Sequence, residues 1–419
     1  MHQFSSCVSA SKVPPSGRRK AVKDSVTHIL ILTESPFSKR DYDRFGVELL
    51  SQSFRVSILD CTAWLKPDFR DKYSATEYHC PGYVSIADWD SMASYLNGQV
   101  ITVAIDYLSG CARSKRIRRE LKSRNILRAV VRLGLLAAPP IKWSDRIRQS
   151  ISLYTPRSIP GRIYRRIAQA LRGQDPAPEI ALLSGSACLK DKRLDVATHK
   201  IWAHSFDFDI YLECKDQIVA SVAPYAVFLD EDMIYHSDYA CLGTRPPMTE
   251  QAYYASMNGF FREFECSTGL PAIIAAHPRS HYELRPQLWN SRTTIYGKTA
   301  QLVRGATLVF CHQSTAISFA VMWRKPIIFL TTNELMSSYF GPRIALGSTI
   351  LGAPLINIDR ASNQLPDIMP VIKSLPKVDE VAYAKYADEY IKRPGTPNLP
   401  IWQVFSEYVQ REISWAEKL

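Results

Sequence analysis

The chain has 419 residues, enough for about two domains at the usual size of folded units. Its 46% hydrophobic content suits a soluble globular protein, and no apolar run approaches the roughly 18–20 residues that span a bilayer. The net charge of +12 is local: residues 110–175 hold 17 Lys and Arg against three acids, a surplus of +14 that leaves −2 for the rest.

Residues 1–22 carry Lys12, Arg18, Arg19 and Lys20 ahead of an apolar stretch, 29–32, that is too short for a signal peptide. They read as a disordered leader. A strand is predicted at 26–33, stopping at Glu34-Ser35-Pro36-Phe37-Ser38, and a helix at 42–50. Further strands fall at 54–60 and 100–106; 126–131 reads as a strand, although Asn125 and the surrounding arginines fit a helix as well. Strands at 180–183 and 209–212 complete a first set. The second set is 226–229, 272–276, 308–310, 327–330 and 355–358, separated by helices at 249–265, 314–323 and 334–346. The tail, 380–392 and 402–418, is helical with a break at Pro394-Gly395. Strands alternating with helices predict parallel sheets, here in two αβ halves.

Several common sites are absent. The 18 glycines include no GxG pair, and no GxxxxGK[ST], GxSxG or HExxH occurs. The nine cysteines form no CxxC or metal-ligand spacing and read as reduced, mostly buried thiols of a cytoplasmic protein. Without those loops, a nucleotide between two such halves is held at strand ends and helix N-termini.

The basic segment 110–175 alternates Arg and Lys with Ile, Leu and Val over 111–136, and again over 159–171. Aromatic residues for stacking bases are nearly missing there, which argues against nucleic acid. Attraction to an anionic membrane surface and an ordinary solvated basic face both fit.

Three apolar runs stop abruptly on polar residues. Val227-Phe228-Leu229 meets Asp230-Glu231-Asp232, where period-2 alternation puts Asp230 and Asp232 on one face and Glu231 on the other. Such acids serve as a base or nucleophile, or form a solvated turn. Ala275-Ala276 meets His277-Pro278-Arg279. Leu308-Val309-Phe310-Cys311 meets His312-Gln313-Ser314-Thr315, and the last two open a predicted helix as a phosphate seat or as a plain N-cap.

The order acidic stop, His-Pro, Ser-Thr resembles the motif layout of GT-B bacterial sialyltransferases. With Arg40-Asp41-Tyr42-Asp43-Arg44-Phe45-Gly46, Ala203-His204-Ser205-Phe206-Asp207-Phe208-Asp209 and Tyr296-Gly297-Lys298-Thr299, the chain from about residue 25 resembles the retaining β-Kdo glycosyltransferases, glycosyltransferase family 99. That resemblance implies a GT-B fold of the α/β class: two Rossmann-like domains facing across a cleft, with C-terminal helices packing back on the first. The expected divisions are the leader 1–22, an acceptor domain 23–216, a CMP-sugar domain 217–380 and C-terminal helices 381–419.

The resemblance also implies a reaction: Kdo passes from CMP-β-Kdo to a lipid-linked O-antigen or capsule acceptor, with retention. Asp232 would be the nucleophile, with Asp230 as the alternative. His277 would meet the CMP phosphate, assisted by Arg279. Ser314 and Thr315 would hold that phosphate, and Gln313 and Lys298 would line the same pocket. Arg40, Arg44 and His204 would contact acceptor or sugar, His204 alternatively making a structural hydrogen bond. No metal or other cofactor is expected, because a single leaving phosphate is stabilised by basic groups and helix N–H donors. The implied partners are CMP-Kdo, the lipid-linked glycan and an anionic membrane surface, not nucleic acid. The implied place is the cytoplasm, peripheral to the inner membrane of a Gram-negative bacterium. An inverting CMP-sialic acid transferase, a CDP-polyol phosphotransferase and a non-enzymatic basic scaffold are the competing readings.

Overall fold

The computed structural model describes residues 27–67, 78–139, 176–217, 223–236, 238–239, 244–359, 370 and 372–413. It contains two sheets, one after the other along the chain. The first holds β1 (His28–Thr33), β2 (Arg55–Asp60), β3 (Tyr83–Ser85), β4 (Val103–Asp106), β5 (Leu127–Arg132), β6 (Ile180–Leu183) and β7 (His199–Trp202), in the spatial order β3-β2-β1-β4-β5-β6-β7. The second holds β8 (Ala226–Leu229), β9 (Ala272–Ala275), β10 (Thr294–Ile295), β11 (Leu308–Cys311), β12 (Ile327–Thr331) and β13 (Leu355–Asn357), in the order β10-β9-β8-β11-β12-β13. Neighbouring strands are parallel throughout.

A parallel sheet covered on both faces has no solvent side, so its central strands are continuous apolar runs. Ile29 to Leu32, Ile180 to Leu183 and Leu308 to Cys311 accordingly lose all their exposure. The chain direction around each sheet reverses between β1 and β4 and between β8 and β11. Ligands bind outside the carboxyl ends of strands at such points. The acidic stop follows β8, the His-Pro stop follows β9, and the Ser-Thr stop follows β11, so three neighbouring strands deliver the three motifs to one edge.

Three predicted elements differ. The helix at 334–346 is two helices, Asn333–Ser337 and Gly341–Leu351. The helix at 42–50 is two helices, Lys39–Arg44 and Val47–Ser51, parted by Gly46 at φ +59°. The strand at 209–212 lies within a helix, Phe206–Cys214. Its Phe-Asp-Phe-Asp alternation mimics a strand, but Asp207 and Asp209 sit in the first helical turn, where the helix dipole favours carboxylates. Strands β3, β7 and β10 escape prediction because all three are sheet edges, short and half-covered, without a buried run to mark them.

The C-terminal region divides. Helix Glu380–Tyr386 and the π-helical turn Ala387–Ile391 place Tyr383, Tyr386, Tyr390 and Ile391 in the core of the second domain. Helix Ile401–Tyr408 returns to the first, burying Ile401, Trp402 and Phe405 among Ile29, Phe45 and Val47. Two doubly wound parallel domains joined by such a return are the GT-B arrangement. The expected leader 1–22, the 140–175 portion of the basic segment and the last residues of the 402–418 helix lie outside the described residues. Among those described, no helix is long and apolar enough to cross a membrane.

Candidate functional site

The three acids after β8 do three different things. Asp230 turns inward and accepts four hydrogen bonds: from the Asp232 amide (3.1 Å), the His277 amide (3.0 Å), the Tyr282 hydroxyl (2.9 Å) and the Glu231 amide. Burial raises its pKa, and these donors hold it down. Glu231 crosses to the end of β11, where its carboxylate takes the Gln313 amide at 2.6 Å together with the His312 and Ser314 amides. Burial, reinforced by Asp230, pushes it up to about 8.

Asp232 is held at φ +47°, a left-handed conformation that few side chains other than Asn and Asp adopt readily. Among the described residues its carboxylate accepts no hydrogen bond, although the residue is only 2% exposed. Burial and the charge of Asp230 push it up to about 7, while Arg285 and His281 pull the other way. Strand alternation therefore does not continue through the acids: the backbone leaves the sheet at Leu229, and Asp230 and Asp232 do not act as a matched pair. Strain of this kind concentrates at functional positions.

His277 stands beside this turn. Its Nδ1 accepts the Arg279 amide at 3.3 Å, which leaves the ring proton on Nε2 as a free donor direction. Burial, then His236, Arg279 and Arg40, push its pKa down to about 3, so the ring is neutral at physiological pH. Arg40, on helix Lys39–Arg44 of the first domain, is near enough for its charge to act on His277. The positive charges are guanidinium groups: Arg279, 3.6 Å from Asp238, and Arg285, stacked 3.8 Å over the Tyr235 ring. His236, whose ring centre is 4.9 Å from that of His277, completes the cluster.

The remaining expectations are corrected in part. Ser314 and Thr315 do not open the helix; it begins at Ile317 with Ala316 as its cap, and the amides expected to seat a phosphate already hold Glu231 at residues 312–314. Their hydroxyls stay at the strand end, with Ser314 Oγ accepting the Ala316 amide. Gln313 keeps its Oε1 buried and unpartnered. Lys298 is exposed after β10, three strands from β11, so roughly 14 Å of backbone spacing separates it from Gln313 and they line no common small pocket. His204 is fully buried, with Nε2 2.8 Å from the Leu399 carbonyl and Nδ1 3.1 Å from that of Ser205. It ties β7 to the C-terminal return and has no surface for an acceptor. Arg44 is exposed, its guanidinium 4.3 Å over the Phe206 ring.

Tyr282, His236, His281 and Arg285 escaped the sequence reading. Only the fold brings residues 281–285 beside 230–232; a lone tyrosine in a polar loop has no distinguishing mark. Among the described residues no group of three His, Cys, Asp or Glu side chains is arranged to hold a metal.

No protein-family model matches the chain, and no curated protein does. Among solved structures it is similar to MurG of Acinetobacter baumannii, at 10% identity and TM-score 0.45 over 92% of this chain and 99% of that one. It is also similar to the S. aureus MnaA–UDP complex (9%, TM-score 0.47, 94% and 97% covered) and to the spinosyn forosaminyltransferase SpnP (10%, TM-score 0.45, 92% and 100%). At these identities the likeness is one of overall fold.

Proposed function

We propose that the chain is a glycosyltransferase that moves Kdo from CMP-β-Kdo to a lipid-linked surface-polysaccharide acceptor with retention, on the cytoplasmic face of the inner membrane of a Gram-negative bacterium and without a metal. The observation that carries this reading is the contrast among the three acids: two are engaged by backbone amides and one, Asp232, is not. An Asp232 carboxylate oxygen attacks the anomeric ketose carbon while the bond from that carbon to the CMP phosphate oxygen breaks, releasing CMP. The acceptor hydroxyl then attacks the same carbon, expels the Asp232 carboxylate and gives up its proton to the solvent. Two displacements restore the configuration. Asp230, fixed by Tyr282 and the His277 amide, positions the turn. Neutral His277 donates its Nε2–H to the leaving phosphate, and Arg279 supplies charge.

An inverting transfer to the same acceptor is the second reading, and the pKa of Asp232 near 7 favours it, since a general base works best near the operating pH. Intact-mass measurement after incubation with CMP-Kdo and no acceptor separates the two, because only retention leaves the sugar on the protein.

Thermal unfolding with CMP, CDP, UMP, UDP and NAD tests the donor class. A ligand at about 100 times its Kd stabilises by roughly 2.7 kcal/mol, so CMP alone is expected to raise the midpoint. A preference for CDP or UDP moves the protein to another donor class, and no shift at all removes the nucleotide-sugar reading.

His277→Ala is expected to weaken CMP binding about tenfold, the usual cost of one hydrogen bond to a charged group. Since the ring is already neutral, wild-type CMP affinity should not fall between about pH 6 and pH 8 through this residue. Calorimetric titration of both proteins checks both statements; unchanged affinity in the variant removes the role.

A further inference from the structure

The basic segment acquires a definite shape in the fold. Helix Ala112–Ser123 buries Ser114, Lys115, Ile117, Arg118 and Leu121. Arg118 is not surface charge: with Arg128 it holds the buried Asp106 carboxylate, at 2.7 and 3.1 Å. The outward half carries Arg113, Arg116, Arg119 and Lys122, all exposed, and among the described residues none of them is in an ion pair. The only acid of the helix, Glu120, is taken by Arg124.

Two tryptophans from elsewhere in the chain border this face. Trp64 lies in the turn after β2 and Trp89 opens the helix after β3, their rings 6.2 Å apart and half-buried. The Arg116 guanidinium lies 3.7 Å over Trp89, and Arg113 donates to the Trp64 carbonyl. Trp64, Trp89 and the start of helix Ala112–Ser123 follow β2, β3 and β4 of one parallel sheet, so they lie toward its carboxyl edge. The shortage of aromatic residues within 110–175 is thus made up by the fold.

We propose that this face, the outward half of helix Ala112–Ser123 flanked by Trp64 and Trp89, docks the protein on the anionic headgroups of a phospholipid surface. Unpaired cations on one side of a helix beside partly buried tryptophans match a surface that is negative outside and apolar beneath. Arg116 already occupies one face of the Trp89 ring. Docking here sets the acceptor side of the cleft toward the bilayer. The purpose rests on the lipid-linked acceptor reading; the binding itself is tested with neither donor nor acceptor present.

The test is co-sedimentation of the full chain with phosphatidylcholine vesicles, with and without phosphatidylglycerol. Binding is expected only with phosphatidylglycerol and should weaken as salt rises. The combined variant Arg113→Gln, Arg116→Gln, Arg119→Gln, Lys122→Gln is expected to lose on the order of a hundredfold in partitioning. Glutamine keeps the helix propensity of these positions, and an unchanged melting temperature verifies the fold. A control removing four exposed cations of the other domain and tail (Arg262, Lys373, Lys377 and Lys385, each to Gln) should bind as the wild type does. Equal loss in the control, wild-type partitioning in the fourfold helix variant, or an oligonucleotide that displaces the vesicles through the same four residues overturns the proposal. The CMP-induced thermal shift of the fourfold helix variant separates the two readings: donor binding without docking overturns only the surface, and docking that depends on these four residues without a CMP response overturns only the donor.

Discussion

Asp232→Asn is expected to abolish sugar transfer, a loss of at least about a thousandfold in kcat, while CMP affinity stays within about twofold of the wild type. Asparagine suits the test because it tolerates the left-handed backbone at φ +47° and is nearly isosteric, so the turn after β8 persists. Asp230→Asn is the informative comparison. That side chain organises the turn by accepting from three amides and Tyr282, so its loss should lower CMP affinity and stability together with turnover. Full turnover in Asp232→Asn, with none in Asp230→Asn, would transfer the nucleophilic role to Asp230.

The same substitution makes a stability prediction of opposite direction. Asp232 titrates near 7 in the folded chain against an ordinary value of 3.8, so the native state holds its proton more tightly than the unfolded one. Its stabilising contribution is therefore complete below about pH 4 and lost as pH rises through 7. Asp232→Asn should then be more stable than the wild type at about pH 8, by about 2 kcal/mol, with little difference at about pH 4. Relaxation of the turn and water penetration relieve part of the burial penalty, so the effect is smaller than the full shift. In the wild type, turnover should rise with pH through the ionisation of Asp232. Melting curves at the two pH values decide the stability claim: a variant less stable than the wild type at both would mean that the carboxylate is not held at a cost.

Much of this arrangement was legible in the residues, and the reason is physical. Strands buried on both faces need unbroken apolar runs, so β1, β6, β8, β11 and β12 could be placed within a residue or two, and with them the three polar stops that follow β8, β9 and β11. What those stops do was less legible. Whether Glu231 or a ligand satisfies the amides of residues 312–314 depends on the width of one strand gap, and neither composition nor spacing encodes it. The same holds for His204. The sequence left an acceptor contact and a structural hydrogen bond both open, and the return of the C-terminal chain decides for the second: it places the Leu399 carbonyl on the ring and the Ile401 amide 3.1 Å from Asp209. The pairing of residues 204–209 with 399–401 spans almost half the chain, and no local pattern announces it.

That return makes Trp402→Ala the substitution with the largest expected effect on folding. The indole is 4% exposed, it packs against the first-domain core, and its Nε1–H donates to the Arg44 carbonyl at 2.8 Å. Truncating a buried tryptophan costs about 3–5 kcal/mol through lost burial and the cavity left behind. The partner position explains why the site is so intolerant. Gly46 adopts φ +59°, and a Cβ there would lie 2.1 Å from the Trp402 ring, so no side chain fits beneath the indole. Gly46→Ala should therefore destabilise too, through clash and backbone together. In the double variant the alanine methyl no longer meets the indole, so the two losses should combine to less than their total. Denaturant titration of both single variants and the double variant measures this coupling. Strict additivity would mean that Trp402 and Gly46 do not meet, and that helix Ile401–Tyr408 does not close on the first domain in solution.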